Sequence, residues 1–176
     1  MQEVATAPGR EATAAPNALA FDELYRTSRD DVYAYVAGLL RDSHAAEDVT
    51  ALAFERAYRR RRRFDPRRGN GRAWVFGIAR NAALDELRRR KRTASLLADP
   101  EDVEGADPGD ESDAALRRES LRAALARLDL RDRELIALRF FAGLGNGEIA
   151  EVLGISPSNA GTRLNRAVDK LRKEMA

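Results

Sequence analysis

The sequence predicts an all-α protein of two small helical bundles joined by a flexible acidic linker. Apolar residues recur at helical spacing in both halves of the chain. No segment alternates polar and apolar residues for long enough to predict a strand. Acidic residues, prolines and glycines are concentrated between the two halves, in a composition typical of a linker.

The chain divides into four predicted segments: a disordered leader (1–18), the first bundle (19–93), the linker (94–116) and the second bundle (117–176). The first bundle has 18 basic and 11 acidic residues, the linker has 8 acidic and no basic residues, and the second bundle has 12 basic and 8 acidic residues. The overall net charge of +2 is therefore the sum over two basic bundles, an acidic linker and the leader. This pattern favours two separate contacts with a polyanion, with solvated charged helix faces as the alternative.

Several classes of protein are excluded by composition. The 176 residues include no cysteine, which excludes disulfides and cysteine-based metal sites and suits a cytoplasmic protein. No apolar run approaches the roughly 18 residues of a membrane span, so we predict no membrane insertion. The single histidine, His44, has no triad partner nearby in sequence, and no phosphate loop or metal-ligand cluster is present. We therefore predict no catalytic residue, no bound metal and no cofactor.

Three helices are expected in the first bundle. The first covers 19–41, and Asp42 or Ser43 is expected to cap the second. Pro66 ends the second helix, and a third helix follows over 73–91. The second and third helices each end in a run of basic residues, which could contact phosphates.

The second bundle contains a helix-turn-helix pattern. A short helix over 148–153 is followed by Gly154, which suits a left-handed turn. Ser156 and Pro157 then form a strong helix start, and the second helix runs over 157–173. A recognition helix places its N-terminal residues against base edges in the major groove, with arginine suited to guanine and asparagine to adenine. An ordinary helical hairpin with solvated arginines is the alternative. The predicted DNA-facing residues are Ser158, Asn159, Thr162, Arg163 and Arg166.

Taken together, these blocks resemble an extracytoplasmic-function (ECF) RNA polymerase sigma factor over about 21–92 and 118–174. Ala46-Glu-Asp-Val and Phe54-Glu-Arg-Ala-Tyr58 resemble the helix of that family that binds core polymerase. The segment from Arg72 to Arg89 resembles its helix that meets the −10 promoter element, and the second block resembles its −35 domain. The order of the blocks, with a linker between them, strengthens the resemblance.

The resemblance implies a sigma factor that binds core RNA polymerase and directs promoter recognition, −10 melting and transcription initiation. The helix-turn-helix would bind the duplex −35 element, and the first bundle would hold the melted non-template strand of the −10 element. Such a strand requires a basic groove and an aromatic surface, which Trp74 or Phe76 could supply, although core packing is the alternative for Trp74. The candidate −10 residues are Asn70, Trp74, Arg80, Asn81, Arg88 and Arg89.

The resemblance also implies two protein partners, core RNA polymerase and an anti-sigma factor. The sequence departs from the family at Ala51-Leu52, where many members carry Gln-Glu. It departs again at Gly161, where many members carry a basic residue. We expect Leu52 to pack on the polymerase, and we expect base readout to shift to the neighbours of Gly161. The candidate polymerase-binding residues are Asp48, Leu52, Glu55 and Arg56.

Two other functions remain open at the level of sequence. A stand-alone helix-turn-helix transcriptional regulator would explain the C-terminal pattern, but it would leave the basic helix over 72–92 unexplained. Such a regulator usually binds its operator as a dimer and without polymerase. An interaction protein, whose first bundle only docks on a partner, is the third possibility.

Overall fold

The computed structural model describes residues 16–67, 69–96 and 113–176, and these residues form helices and short connections without a strand, as predicted. Most of the predicted leader and linker (1–15 and 97–112) lie outside the described residues. The helices extend a few residues into both of these predicted segments. A 3₁₀ turn, Arg61–Arg63, follows the second helix, and a π-helical turn, Ala137–Phe141, continues the fifth helix. The helices are α1 (Pro16–Leu40), α2 (Ser43–Arg60), α3 (Gly71–Leu96), α4 (Asp113–Arg127), α5 (Leu130–Ile136), α6 (Asn146–Leu153) and α7 (Pro157–Met175).

The first bundle packs α1, α2 and α3 against one another. Arg41 adopts a left-handed backbone conformation (φ 56°) where α1 turns into α2. Asp42 then caps α2, and its carboxylate accepts a hydrogen bond of 3.0 Å from the backbone N–H of Ala45. Tyr35 and Phe76 are fully buried, with ring centroids 5.7 Å apart in an edge-on arrangement. These contacts fix the orientation of α3, which carries the predicted −10 residues.

An ion-pair network that joins α2 to α3 makes stability dependent on pH. Hydrogen bonds from Arg89 and Arg90 lower the pKa of Glu86 to about 2 from its usual 4.5, and Arg90 also pairs with Asp42 at 2.9 Å. Because the pKa is lower in the folded state, the stabilisation is complete above about pH 4.5 and is lost as the pH falls towards 2. We expect thermal unfolding to show Glu86→Gln less stable than wild type at neutral pH, with the difference shrinking on acidification. A difference independent of pH would contradict this, and Glu119→Gln is the exposed control.

The second bundle is built from α4 to α7. Asp129 caps α5 by accepting from the backbone N–H of Asp132 at 2.9 Å. Gly154 has a φ of +66°, as the predicted left-handed turn requires, and lies between α6 and α7. Leu125 of α4 and Leu128, which directly follows α4, pack with Ile136 and Ala167 in a small separate hydrophobic core. The helix-turn-helix is therefore supported from behind by α4 and α5.

The two bundles also share a continuous hydrophobic core. Leu135 and Leu138 of the second bundle belong to the same buried cluster as Val36 and Phe76 of the first. Helix α3 packs against α6, and α1 packs against α5 and the π-helical turn. The linker composition alone does not predict this docking, because it depends on contacts between residues far apart in sequence.

A buried polar network lies within this shared core. The carboxylate of Glu134 in α5 is 2.5 Å from Arg80 Nε in α3, and it accepts a hydrogen bond of 3.2 Å from the Tyr35 hydroxyl in α1. Burial raises the pKa of Tyr35 well above its usual range, and the charge of Glu134 adds to this. The hydroxyl therefore stays protonated and can donate to the carboxylate.

Candidate nucleic-acid interface

The recognition helix α7 begins as the sequence predicts. The Ser156 hydroxyl accepts from the backbone N–H of Asn159 at 3.2 Å, and Pro157 occupies the first helical position. On the opposite side, Ala160 and Leu164 are buried against the bundle. This leaves one continuous polar face towards solvent, as a helix entering a major groove requires. All the predicted −35 residues are exposed on this helix: Ser158, Asn159, Thr162, Arg163 and Arg166.

Gly161 lies against the start of α6. A Cβ placed on Gly161 would be 3.2 Å from Asn146 Nδ2 at the start of α6, whereas we interpreted the position as one whose side chain would reach DNA. The glycine therefore allows α6 and α7 to approach each other, and its effect on base readout remains a prediction.

Replacing Gly161 by alanine should stabilise the second bundle. Alanine is favoured over glycine inside a helix by roughly 1 kcal/mol. The 3.2 Å contact is to the exposed amide of Asn146, which can move by a few tenths of an ångström. We expect urea denaturation to give a gain of up to about 1 kcal/mol. A loss of stability would mean that Asn146 cannot yield, and the Gly161→Ala/Asn146→Ala double variant would then recover the gain.

A cavity of about 690 Å³ lies beside the N-terminal half of α3. Three of the predicted −10 residues, Asn70, Trp74 and Asn81, line this cavity together. Trp74 is half-buried, and its ring stacks obliquely on Phe64, with centroids 4.9 Å apart. The cavity thus combines an aromatic surface with amide groups, which are the groups that hold unstacked bases. Phe76 is fully buried, so the aromatic surface comes from Trp74 and Phe64.

The three predicted arginines of α3 do not converge on this cavity. Arg80 points into the shared core, where it pairs with Glu134, and its side chain is only 29% exposed. Arg88 and Arg89 are exposed but pair with Asp85 and Glu86 in the last third of the helix. A helix rises about 1.5 Å per residue, so Arg89 lies roughly 25–30 Å from Asn70 along the axis of α3. In this arrangement Arg80 is engaged by Glu134 of the other bundle, and its contact with the −10 strand stays a prediction of the family resemblance.

The predicted polymerase-facing residues lie on α2. Asp48, Leu52 and Glu55 are exposed at helical spacing, and Leu52 is 37% exposed although it is a large apolar residue. Arg56 is partly covered and lies 3.9 Å from Asp85 of α3. Tyr58, the last residue of the segment that resembles the polymerase-binding helix, is 47% exposed and packs edge-on against Phe21 of α1.

Over the ranges that the structure describes, no helix is long and apolar enough to cross a membrane. Within the same ranges, no group of His, Cys, Asp and Glu side chains could hold a metal ion.

A basic helical bundle beside an exposed helix-turn-helix defines a DNA-binding transcription protein. Residues 24–93 match the family described as Sigma-70 region 2, and residues 118–171 match Sigma-70, region 4. The chain is 32% identical to RNA polymerase sigma factor CarQ of Myxococcus xanthus over 155 residues, covering 88% of each chain. It is 33% identical to ECF RNA polymerase sigma factor BldN of Streptomyces coelicolor over 167 residues, covering 93% of this chain and 63% of BldN.

A solved structure agrees with these matches. CnrH, in complex with the cytosolic domain of CnrY, superposes with a TM-score of 0.67 and 25% identity, over 90% of this chain and 89% of CnrH. The chain therefore belongs to the ECF RNA polymerase sigma factors. This family directs RNA polymerase in promoter recognition and transcription initiation and is not enzymatic, which confirms the predicted family and the prediction that the chain is not an enzyme.

Proposed function

We propose that this chain is a cytoplasmic sigma factor that contacts a promoter at two places while bound to core RNA polymerase. In this proposal, residues 19–93 form the polymerase- and −10-binding domain and residues 117–176 form the −35-binding domain. The observation that carries the proposal is the pairing of an exposed recognition helix with a cavity of aromatic and amide groups in the other bundle. A stand-alone regulator would need only the first of these surfaces.

We assign duplex DNA to the recognition helix and single-stranded DNA to the cavity. The face of Asn159, Thr162 and Arg163 would read base edges of duplex −35 DNA, while Ser158 and Arg166 would contact its backbone. The cavity of Asn70, Trp74 and Asn81 would receive a base from the melted −10 non-template strand. That assignment is supported by the ring pair of Trp74 and Phe64, since stacking on an aromatic side chain holds unpaired bases. Arg88 and Arg89 are assigned to the phosphates of this strand.

Protein partners are assigned to other surfaces. Core polymerase would bind Asp48, Leu52 and Glu55 on α2, with Arg56 at the edge. The ECF resemblance also implies an anti-sigma factor, and the complex of CnrH with the cytosolic domain of CnrY supports a protein partner for this fold. Co-purification with a small helical protein encoded beside this chain would test that assignment.

Run-off transcription with purified core polymerase tests the proposed function. We expect the full chain to direct transcripts from a subset of genomic fragments, and the start sites would define its −35 and −10 elements. Tight operator binding by the free chain, together with no transcript from any fragment, would instead support the stand-alone regulator.

Replacing Arg163 by alanine should weaken binding to the −35 duplex. An arginine that pairs with a guanine contributes about 1–3 kcal/mol, so we expect the affinity to fall by about tenfold or more. The measurement is fluorescence anisotropy with a duplex from a transcribed promoter. Arg172→Ala is a matched control, because Arg172 lies in the last turn of the same helix and pairs with Asp169. Equal losses in both variants would point to nonspecific charge.

A further inference from the structure

The cavity assigned to the −10 strand is bordered by the other DNA-binding domain. Glu151 and Val152 of α6 line it together with Asn70, Trp74 and Asn81 of the first bundle. Helix α6 is the first helix of the helix-turn-helix. The two domains therefore meet at the place where the melted strand is expected to bind.

The polar groups of Asn70 already have hydrogen-bond partners, two of them in α6. Its side-chain Nδ2 donates to Glu148 Oε1 at 3.1 Å, and its Oδ1 accepts from the backbone N–H of Arg72 at 2.9 Å. Its backbone N–H points at Glu151 Oε2, 3.4 Å away. A base that is to bond with the Asn70 amide must displace Glu148. Two carboxylates at this edge would also repel a phosphate-bearing strand.

The second bundle is held in this position by contacts outside the cavity. Arg80 and Tyr35 both bond to the buried carboxylate of Glu134. The Arg72 guanidinium donates to the backbone carbonyl of Ala142 and pairs with Asp31 at 2.9 Å. Helix α6 therefore cannot withdraw by a local movement, because it is part of a body anchored at several places on α1 and α3.

We propose that the helix-turn-helix domain is a built-in competitor of the melted −10 strand. In the closed chain, Glu151 lines the edge of the cavity and Glu148 holds the side chain of Asn70 there, so binding of the strand requires the two domains to separate. This inference rests on the proposed function and adds the regulation of the same site. The apparent affinity for single-stranded DNA then equals the intrinsic affinity multiplied by the fraction of open molecules.

An engineered disulfide can hold the closed form without touching the cavity. A Cβ placed on Gly38 would lie 3.6 Å from the Cβ of Ala137, which is within the 3.5–4.5 Å typical of disulfides. The same Cβ would overlap the Phe141 ring, so Phe141→Ala must accompany the two cysteines. The chain has no cysteine of its own, so no native thiol competes, and bonds between two molecules are removed by isolating the monomer. The variant is Gly38→Cys/Ala137→Cys/Phe141→Ala.

The test compares this variant in its oxidised and reduced forms. The probe is a fluorescent single strand covering the −10 element of a promoter that the holoenzyme transcribes. We expect the oxidised form to bind the probe at least about tenfold more weakly than the reduced form, and wild type to be unaffected by redox conditions.

The remaining outcomes separate failure of the inference from failure of the proposed function. Equal affinity in the two forms, with transcription intact in the reduced form, would overturn the inference alone. Failure of the bond to form under oxidising conditions would also overturn it if Phe141→Ala alone binds the probe as wild type does, because the closed arrangement would then not be populated. Tighter probe binding by Phe141→Ala alone would instead support the inference, because loss of a docking contact would have opened the chain. Absence of both probe binding and transcription in wild type would overturn the proposed function as well.

A charge substitution in α6 tests the competitor directly. In Glu148→Gln, the remaining oxygen can still accept from the backbone N–H of Gly145, which keeps the cap of α6. The Asn70 amide loses its charged acceptor, so we expect the contact between Asn70 and α6 to weaken. The fraction of open molecules then rises, and the probe should bind about three- to tenfold more tightly. Glu119→Gln, which changes an exposed carboxylate of α4, is the matched control and should bind as wild type does. Unchanged affinity in Glu148→Gln would overturn the role given to its carboxylate.

Discussion

Glu134→Ala should lower the free energy of unfolding of the full chain by about 3 kcal/mol. Glu134 is 4% exposed and accepts hydrogen bonds from Arg80 and from the Tyr35 hydroxyl. Its removal leaves a buried hydroxyl without an acceptor and a guanidinium without its counter-charge. The loss falls at the lower end of the range for buried pairs, because the Arg80 side chain is 29% exposed and water can solvate it again.

Urea denaturation of Glu134→Ala, Glu134→Gln and Glu174→Ala separates the loss of the buried charge from the loss of an exposed ion pair. Glu134→Gln keeps the size and one acceptor for Tyr35, so it should lose less than Glu134→Ala. Glu174→Ala removes a partner of Arg127 from an exposed pair, and we expect a loss of less than about 0.5 kcal/mol. A loss as small in Glu134→Ala as in Glu174→Ala would show that the pair between the bundles is not formed in solution.

Leu52→Asp should abolish most of the affinity for core polymerase while the fold is retained. Leu52 is 37% exposed in the free chain, so an aspartate there can remain solvated, and we expect the free energy of unfolding to fall by only about 1 kcal/mol through lower helix propensity and lost apolar contact. In the complex, the apolar contact would be replaced by a carboxylate that must lose its water. We expect a loss of about 3 kcal/mol, which corresponds to about a hundredfold in affinity.

Surface plasmon resonance with immobilised core polymerase measures this loss. Ala123→Asp is the matched control, since Ala123 is an exposed position in α4 that receives the same charge at the same helical geometry. Equal binding by Leu52→Asp and wild type would remove α2 from the polymerase interface. Equal weakening of both variants would indicate a general effect of negative charge.

The recognition helix illustrates a structure that local sequence signals specify well. Gly154, Ser156 and Pro157 each act on their own backbone or on that of near neighbours, through a left-handed turn, a cap and a fixed φ angle. Such interactions do not depend on what lies across the molecule. The exposure of the predicted −35 face followed from helical periodicity for the same reason.

The −10 candidates show where this kind of reasoning ends. The family resemblance suggested Arg80 for the −10 groove, but here it pairs with Glu134, which is 54 residues away in sequence. Asn70 was predicted near a base-binding loop, and its partner Glu148 is 78 residues away. The alternative aromatic surface at Phe76 was wrong because this ring is fully buried against Tyr35.

Helix content, the helix-turn-helix and the two basic blocks thus follow from short-range interactions that are written into neighbouring residues. The docking of the two bundles depends on Glu134, Arg80 and Phe141, which come together only after the chain has folded back on itself. Each of these residues alone is compatible with solvent or with a core, so no local pattern distinguishes the two environments. Tertiary packing alone therefore decided that the cavity for the −10 strand has a helix of the −35 domain at its edge.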